Sequence, residues 1–252
     1  MNHQEIFAAA RREFWTIRQA QADRQTRGGR RDAGSRGNVT GGGHMDDFAR
    51  AIQGIFVAEG IRREFVCIGR RLTIPGYFRP TKDWDVVVCN EHELGAVIEL
   101  KSQVGSLGNN FNNRAEEAIG NAKDVRVAFT NGLLGTELPF LAFLMVIEDC
   151  ADVVNSRRTR SKFFTVDPEL RDTPYAMRWQ RLLSRLVREQ LYDAACLLPT
   201  TRDARERVQV DDEIGLDRFL ATLVARAQYL SMRPGWTNDQ TELPLEASRQ
   251  VG

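Results

Sequence analysis

Glu99 stands fourteen positions after Asp85, and Lys101 two positions further on, inside the run Ala96-Val97-Ile98-Glu99-Leu100-Lys101. Two acids and a lysine at this spacing can gather a hard divalent cation and a phosphate. Mg²⁺ prefers octahedral oxygen coordination, keeps several waters, and takes only one or two protein carboxylates beside a substrate phosphate. The chemistry it serves there is cleavage of a phosphodiester, as Lewis acid and as an ion that lowers the pKa of a bound water. Lys101 adds a compact positive charge that can orient the attacking water or stabilise the pentacovalent phosphate, and two nearby carboxylates keep it charged until metal binds. Asp85, Glu99 and Lys101 are thus the candidate catalytic residues, with Asp85 and Glu99 as Mg²⁺ ligands. Asp83 competes with Asp85 because both fall on one strand face; the buried run Val86-Val87-Val88 starts directly after Asp85, which favours the latter. Glu59 and Asp46 are candidates for a further acid from the preceding helix, although capping or solvation is the ordinary reading of each.

The elements that must position these residues follow from periodicity. Trp84 to Cys89 and Leu94 to Gln103 read as strands joined by the turn Asn90-Glu91-His92-Glu93, which makes a hairpin. With Cys89 opposite Leu94, Asp85 falls opposite Ile98, one position from Glu99, before any bulge is allowed for. Period-two alternation puts Glu99, Lys101 and Gln103 on one face, Gln103 in a supporting role. The ordinary reading of Asp…Glu-x-Lys is a hairpin whose charges face water. The apolar neighbours, and helices placed to cover both sheet faces, argue against it, because unpaired charges there are costly unless they bind something.

Around this hairpin the chain alternates helix and strand. Residues 3 to 22 carry Ile6, Phe7, Ala10, Phe14, Ile17 and Ala20 at helical spacing, an N-terminal arm that packs on the core or on a partner subunit. Phe48, Ile52, Ile55 and Phe56 predict a helix from Met45 to Glu59, with Asp46 and Asp47 at its positive end. Phe65 to Ile68 is a short strand and Pro75-Gly76 a turn. Residues 112 to 129 read as a helix, and Phe140 to Ile147 as a central strand. Beyond Asp149 come a basic loop, a helix over roughly Tyr175 to Leu198, another near Leu216 to Ser231, and a loose tail. The order predicts an α/β fold with a mixed central sheet flanked by helices. It divides into an N-terminal helix and Arg/Gly-rich loop (1–44), a core (45–150) and a C-terminal helical extension packed on that core (151–252), forming a single overall domain without internal repeats.

Two further segments suit a polyanion. Arg24, Arg27, Arg30, Arg31 and Arg36 crowd a stretch that runs into Val39-Thr40-Gly41-Gly42-Gly43, and Arg157, Arg158, Arg160 and Lys162 form a second basic run. Either can be a solvated loop, or can hold phosphates on both sides of the site. Asn109, Asn110, Asn112, Asn113 and Arg114 crowd what reads as a loop-to-helix junction. A helix cap explains one asparagine but not four. Asn pairs bidentately with adenine and Arg with guanine, so a helix entering a DNA groove uses these types.

Composition narrows the class. The chain has 252 residues, 42% hydrophobic and 27% charged, which suits one sizeable core and excludes fibrous or disordered classes. No apolar stretch approaches the roughly 20 residues of a membrane span, and the first helix lacks a signal-peptide apolar segment, so a cytoplasmic protein is expected. Cys67, Cys89, Cys150 and Cys196 form no CxxC and read as reduced thiols. The net charge of +1 hides the basic clusters, and near-neutral totals are compatible with a polyanion partner.

Three blocks together carry a resemblance: Thr81-Lys82-Asp83-Trp84-Asp85-Val86-Val87-Val88, then Ala96 to Gly105, then Asn109-Asn110-Phe111-Asn112-Asn113-Arg114-Ala115-Glu116-Glu117-Ala118-Ile119-Gly120. With Gly37 to Gly43 before Met45-Asp46, the chain resembles the XhoI-type restriction endonucleases from about residue 4 to the C-terminal helices. The resemblance implies a type II enzyme of the PD-(D/E)XK nuclease fold. Such an enzyme is a homodimer that cuts the duplex palindrome CTCGAG after the first C with Mg²⁺, leaving 5′ overhangs, and works beside a cognate DNA methyltransferase. Asp85, Glu99 and Lys101 match the nuclease motif. The proline expected before the first aspartate is replaced by Trp84, which leaves the choice between Asp83 and Asp85 open. The rival readings are another nuclease of this fold, for repair or junction resolution, and a non-cleaving sequence-specific DNA-binding protein.

Overall fold

The computed structural model describes residues 2–27, 42–69, 73–105, 107–202 and 205–238, with backbone only for 21–27, 42 and 107–110. Arg30, Arg31 and Arg36 lie outside the described residues, as do the Gly-rich stretch up to Gly41 and the end of the chain, and the side chains of Arg24 and Arg27 are not described.

Five strands form a mixed central sheet. β1 (Val66–Ile68), β4 (Val86–Cys89) and β5 (Leu94–Gln103) run antiparallel, while β6 (Phe140–Glu148) and β7 (Ala194–Thr200) run parallel to β5, in the spatial order β1-β4-β5-β6-β7. Alternation on β5 explains the two layers. Ala96, Ile98 and Leu100 point into one core with α1 (His3–Arg27), α2 (Asp46–Ala58) and α6 (Leu216–Ser231); Val97 points into the other with α3 (Leu107–Thr130), the short α4 (Ala151–Val154) and α5 (Tyr175–Arg188). Helices on both faces leave β6 buried nearly throughout, hence its unbroken apolar sequence. The N-terminal arm packs on the core: Phe7 and Phe14 are fully buried against Phe48, and the Trp15 indole donates to Thr200 Oγ1 at 2.9 Å. No described helix is long and apolar enough to cross a membrane.

The C-terminal third departs from the expected helical extension. The helix predicted to reach Leu198 stops at Arg188, Gln190 takes a left-handed conformation (φ 57°), and Ala194 to Thr200 become the edge strand of the same sheet. A short apolar run such as Ala194-Ala195-Cys196-Leu197-Leu198 reads alike as a buried strand or a helix end. The core thus draws a strand from beyond residue 150. A second departure is the small hairpin of β2 (Thr73–Pro75) and β3 (Thr81–Asp83), where only a turn at Pro75-Gly76 was expected.

The β4/β5 hairpin carries a β-bulge. Cys89 pairs with Leu94, but Val88 pairs with Ala96, so Gly95 is the extra residue and every later pair shifts by one. Gly95 is required by packing: a Cβ there would sit 2.7 Å from the Trp236 ring and 2.8 Å from Leu230. Its carbonyl accepts two N–H donors of Arg226, at 2.9 and 3.2 Å.

Candidate active site

The shifted register corrects the simple hairpin count. Val86 pairs with Ile98, so Asp85, one residue before β4, comes into line with Glu99 rather than Ile98. Its Oδ2 accepts the Leu100 N–H at 2.7 Å, so the side chain continues the ladder where the strand pairing ends. Asp85, Glu99 and Lys101 all occupy the face covered by α3 and α5, as alternation from Val87 and Val97 requires.

Glu99 is 3% exposed and lies between two ammonium groups. Lys101 Nζ donates to Oε1, and Lys82 Nζ donates to Oε2 at 2.6 Å. Lys82 was not among the candidates read from the sequence. It comes from β3, its Nζ also donates to the Asp83 carbonyl at 2.8 Å, and it sits 4.0 Å over the centre of the Trp84 ring. Trp84, which replaces the expected proline, is buried and gives this cation an aromatic floor. A lysine two residues from a tryptophan beside the key acid was the available signal. The four side chains Asp85, Glu99, Lys82 and Lys101 sum to zero charge.

Electrostatics separate the two acids. Burial, and next the charge of Glu99, push the Asp85 carboxyl above its ordinary pKa despite the nearby lysines. Burial acts the same way on Glu99, but Lys101 and Lys82 outweigh it and hold Glu99 low. For Lys101 burial is outweighed by Glu99 and Asp85, and its pKa rises; for Lys82 burial prevails over Glu99, and its pKa falls.

The hairpin that delivers Lys82 is pinned to α3. Asp124 Oδ1 accepts the N–H groups of Tyr77 and Phe78, both at 2.8 Å, and Oδ2 accepts Arg79 Nε at 2.7 Å. Burial pushes the Asp124 carboxyl up, yet these donors hold it below the ordinary range. Gly76 has no Cβ because one would lie 2.6 Å from Asp124 Oδ2.

The other sequence candidates scatter. Asp83 is on the exposed face of β3 and shares none of the contacts around Glu99 beyond its carbonyl. Asp46 begins α2, on the opposite face of the sheet, and pairs with Arg50 at 3.9 Å; Glu59 caps the far end of that helix. Gln103 shares the Glu99 face but is buried, accepting the Trp179 N–H at 3.0 Å, so it props α5 against β5. The asparagine segment lies within the first turns of α3, not in a loop before it, because the helix already starts at Leu107. Phe111 anchors that turn edge-on against Trp179. Asn112 and Asn113 are exposed; Asn109 and Asn110 belong to the turn described by backbone alone. Arg114 pairs with Glu117 at 2.7 Å, and its charge is felt at Lys101.

Among the described residues no group of three or more His, Cys, Asp or Glu side chains could hold a metal. The donor set is the pair Asp85 and Glu99. Two hard carboxylates, with Asp85 Oδ1 making no hydrogen bond among the described residues, suit Mg²⁺, which brings its own waters. Both Glu99 oxygens accept from lysines, so a cation held by this pair would compete with an ammonium group for Glu99.

The family model described as restriction endonuclease XhoI matches residues 24–211, which include the whole site. Type II restriction enzyme XhoI of Xanthomonas vasicola is 43% identical over 179 residues, covering 69% of this chain and 71% of that protein. Type II restriction enzyme BstVI of Geobacillus stearothermophilus is 38% identical over 175 residues, covering 67% and 78%. Type II restriction enzyme AbrI of Azospirillum brasilense is 40% identical over 164 residues, covering 64% and 73%. No solved structure matches the chain.

Proposed function

The chain belongs to the XhoI family of restriction endonucleases, and from that premise we propose that it cuts both strands of duplex DNA at the palindrome CTCGAG. The cut falls after the first C, requires Mg²⁺, and leaves 5′ overhangs. The observation that carries this reading is the alignment of Asp85 with Glu99, with Lys101 on the same face, beneath the start of an asparagine-bearing helix.

When bound, Mg²⁺ supplies Lewis acidity and a water of lowered pKa. Asp85 and Glu99 would hold it. Lys101, kept charged by both acids, is placed to donate to the attacking water or to a phosphate oxygen. Lys82 balances Glu99, and a cation held there would compete with its ammonium group for Oε2. The start of α3 offers N–H groups and a positive dipole to phosphate, while Asn112, Asn113 and Arg114 carry the groups that read adenine and guanine. A palindrome calls for a two-fold homodimer in which each subunit cuts one strand. The enzyme works in the cytoplasm of a prokaryotic cell whose own sites a cognate methyltransferase modifies.

Digestion of unmethylated DNA of known sequence, with sequencing of the fragment ends, tests site, stagger and activity together. Discrete fragments ending at CTCGAG are expected. Structure-specific nicking would instead indicate a repair or junction-resolving nuclease. Lys101→Ala should reduce cutting at least a thousandfold while leaving site-specific binding in Ca²⁺ within about threefold, an expectation that full Mg²⁺-dependent activity of the variant would refute.

A further inference from the structure

The loop between α4 and α5, residues 155–174, takes no part in the carboxylate site. Yet its tip carries the two most exposed large apolar side chains among the described residues, Phe163 at 78% and Phe164 at 82%. Arg158, Arg160 and Lys162 precede them, all exposed and without a carboxylate partner among the described residues. Arg157 at the root reaches Asp152 at 3.7 Å.

The loop is braced. Ser156 bridges Pro174, the Thr159 N–H donates to Asp172 Oδ1 at 2.7 Å, and Arg178 of α5 donates to the Arg157 carbonyl at 2.7 Å and to Thr159 Oγ1 at 2.9 Å. The acids of the returning limb are consumed, since Arg185 holds Asp167 and Glu169, each at 2.9 Å. What remains for a partner is three cations without a carboxylate among the described residues, of which Lys162 lies 5.2 Å over the centre of the Phe163 ring, and two exposed aromatic rings on a fixed base. That base adjoins the site: α5 begins beneath the loop, and its Trp179 touches both Gln103, two residues beyond Lys101, and Phe111 at the start of α3.

We propose that residues 158–164 form a DNA-contacting finger, in which Arg158, Arg160 and Lys162 lie along phosphates and Phe163 and Phe164 wedge at a base step beside the cut. The inference rests on the restriction-enzyme reading. Cations without a carboxylate partner next to exposed rings match a polyanion whose bases also offer apolar faces, and aromatic or aliphatic wedges that unstack a step are a recurring way for proteins to kink a duplex. A second copy of the chain fits less well, because a two-fold contact would set these cations against themselves.

The test uses the full-length protein in Ca²⁺ and a short duplex containing CTCGAG, with a fluorescent adenine analogue placed in turn at steps in and beside the site. Wild type should brighten the analogue at one step by about twofold or more as that base unstacks. The double variant Phe163→Ala, Phe164→Ala should lose the signal and bind about tenfold more weakly, with an unchanged salt slope. The triple variant Arg158→Ala, Arg160→Ala, Lys162→Ala should lower the slope of log affinity against log salt by about 2 to 3, close to one per lost phosphate contact. Unchanged affinity, fluorescence and salt slope in both variants would overturn the finger. So would loss of dimerisation by the double variant with DNA contact intact, which would make the loop a subunit interface, or loss of binding to phosphatidylserine vesicles alone, which would make it a lipid contact. Failure of wild type to bind or cut any duplex would defeat the parent reading, and the finger with it.

Discussion

Glu99 gives each of its oxygens to a different lysine, and the two lysines differ in what they would lose to a cation at the proposed site. Both lysines feel both acids, but the acids outweigh burial at Lys101 and raise its pKa, whereas at Lys82, which also lies over a tryptophan face, burial prevails and the pKa falls. Were a cation to join the pair, Lys82 is the ammonium group expected to yield. Replacing it with methionine removes a competing charge while keeping the apolar stem, so Lys82→Met should bind Mn²⁺ without DNA on the order of tenfold more tightly than wild type. Titration followed by electron paramagnetic resonance measures this, and equal or weaker binding would mean that Lys82 does not compete for the site. Asp85 should set the pH dependence of metal binding at the proposed site. Its carboxyl titrates above the ordinary aspartate range, and only the ionised form binds a cation, so metal affinity is complete above that raised pKa and declines as pH falls through it. The decline should therefore begin at a higher pH than an unperturbed aspartate would give, with proton release on binding in that window. Calorimetry in buffers of different ionisation enthalpy measures the release; its absence would place the metal elsewhere. The sequence made the acids and Lys101 legible because their apolar neighbours could not accommodate idle charge. Lys82 was hidden, since the residue before Asp83-Trp84 looked like part of a turn and only the fold returns it to Glu99.

Among the elements, the β2–β3 hairpin depends most on one residue. Asp124 closes it with two backbone N–H groups and a guanidinium, and the carboxylate is nearly inaccessible to water. Asp124→Ala leaves those donors unsatisfied and should cost about 2 to 4 kcal/mol in urea unfolding. Amide exchange at Tyr77 and Phe78 should accelerate more than in the central strands; uniform acceleration would show that the hairpin is not a separate unit. The carboxyl is held low in the folded protein, so its contribution is present above the unfolded aspartate pKa and is lost as pH falls through the folded value. Legibility at this scale followed periodicity. The helix of residues 46–58 was plain because one period runs through it, and β5 because Glu99, Lys101 and Gln103 alternate along its second half. β7 was not, because its short apolar run follows closely on the amphipathic pattern of α5 and reads equally as that helix's end. The start of α3 was masked by asparagines, whose preference for turns was overridden by the anchoring of Phe111 on Trp179.

On the scale of the whole molecule, the site is electrically balanced without a metal, two acids against two lysines, and the layers around it are mainly apolar. The fold should accordingly be independent of the cation: the unfolding midpoint in excess chelator should match that in metal-free buffer within about 1 °C, a shift of well under 1 kcal/mol. A collapse in chelator would show that the carboxylates need the metal to be buried. The bulge at Gly95 adds a matter of timing. Trp236 and Leu230 occupy the space of its missing side chain, and Arg226 claims its carbonyl. The offset that brings Asp85 into line with Glu99 is thus braced from the opposite layer by residues more than a hundred positions downstream of Lys101. A chain emerging N-terminus first carries both acids long before it carries the helix that supports their alignment. Competence to cut is among the last properties this protein acquires as it is made.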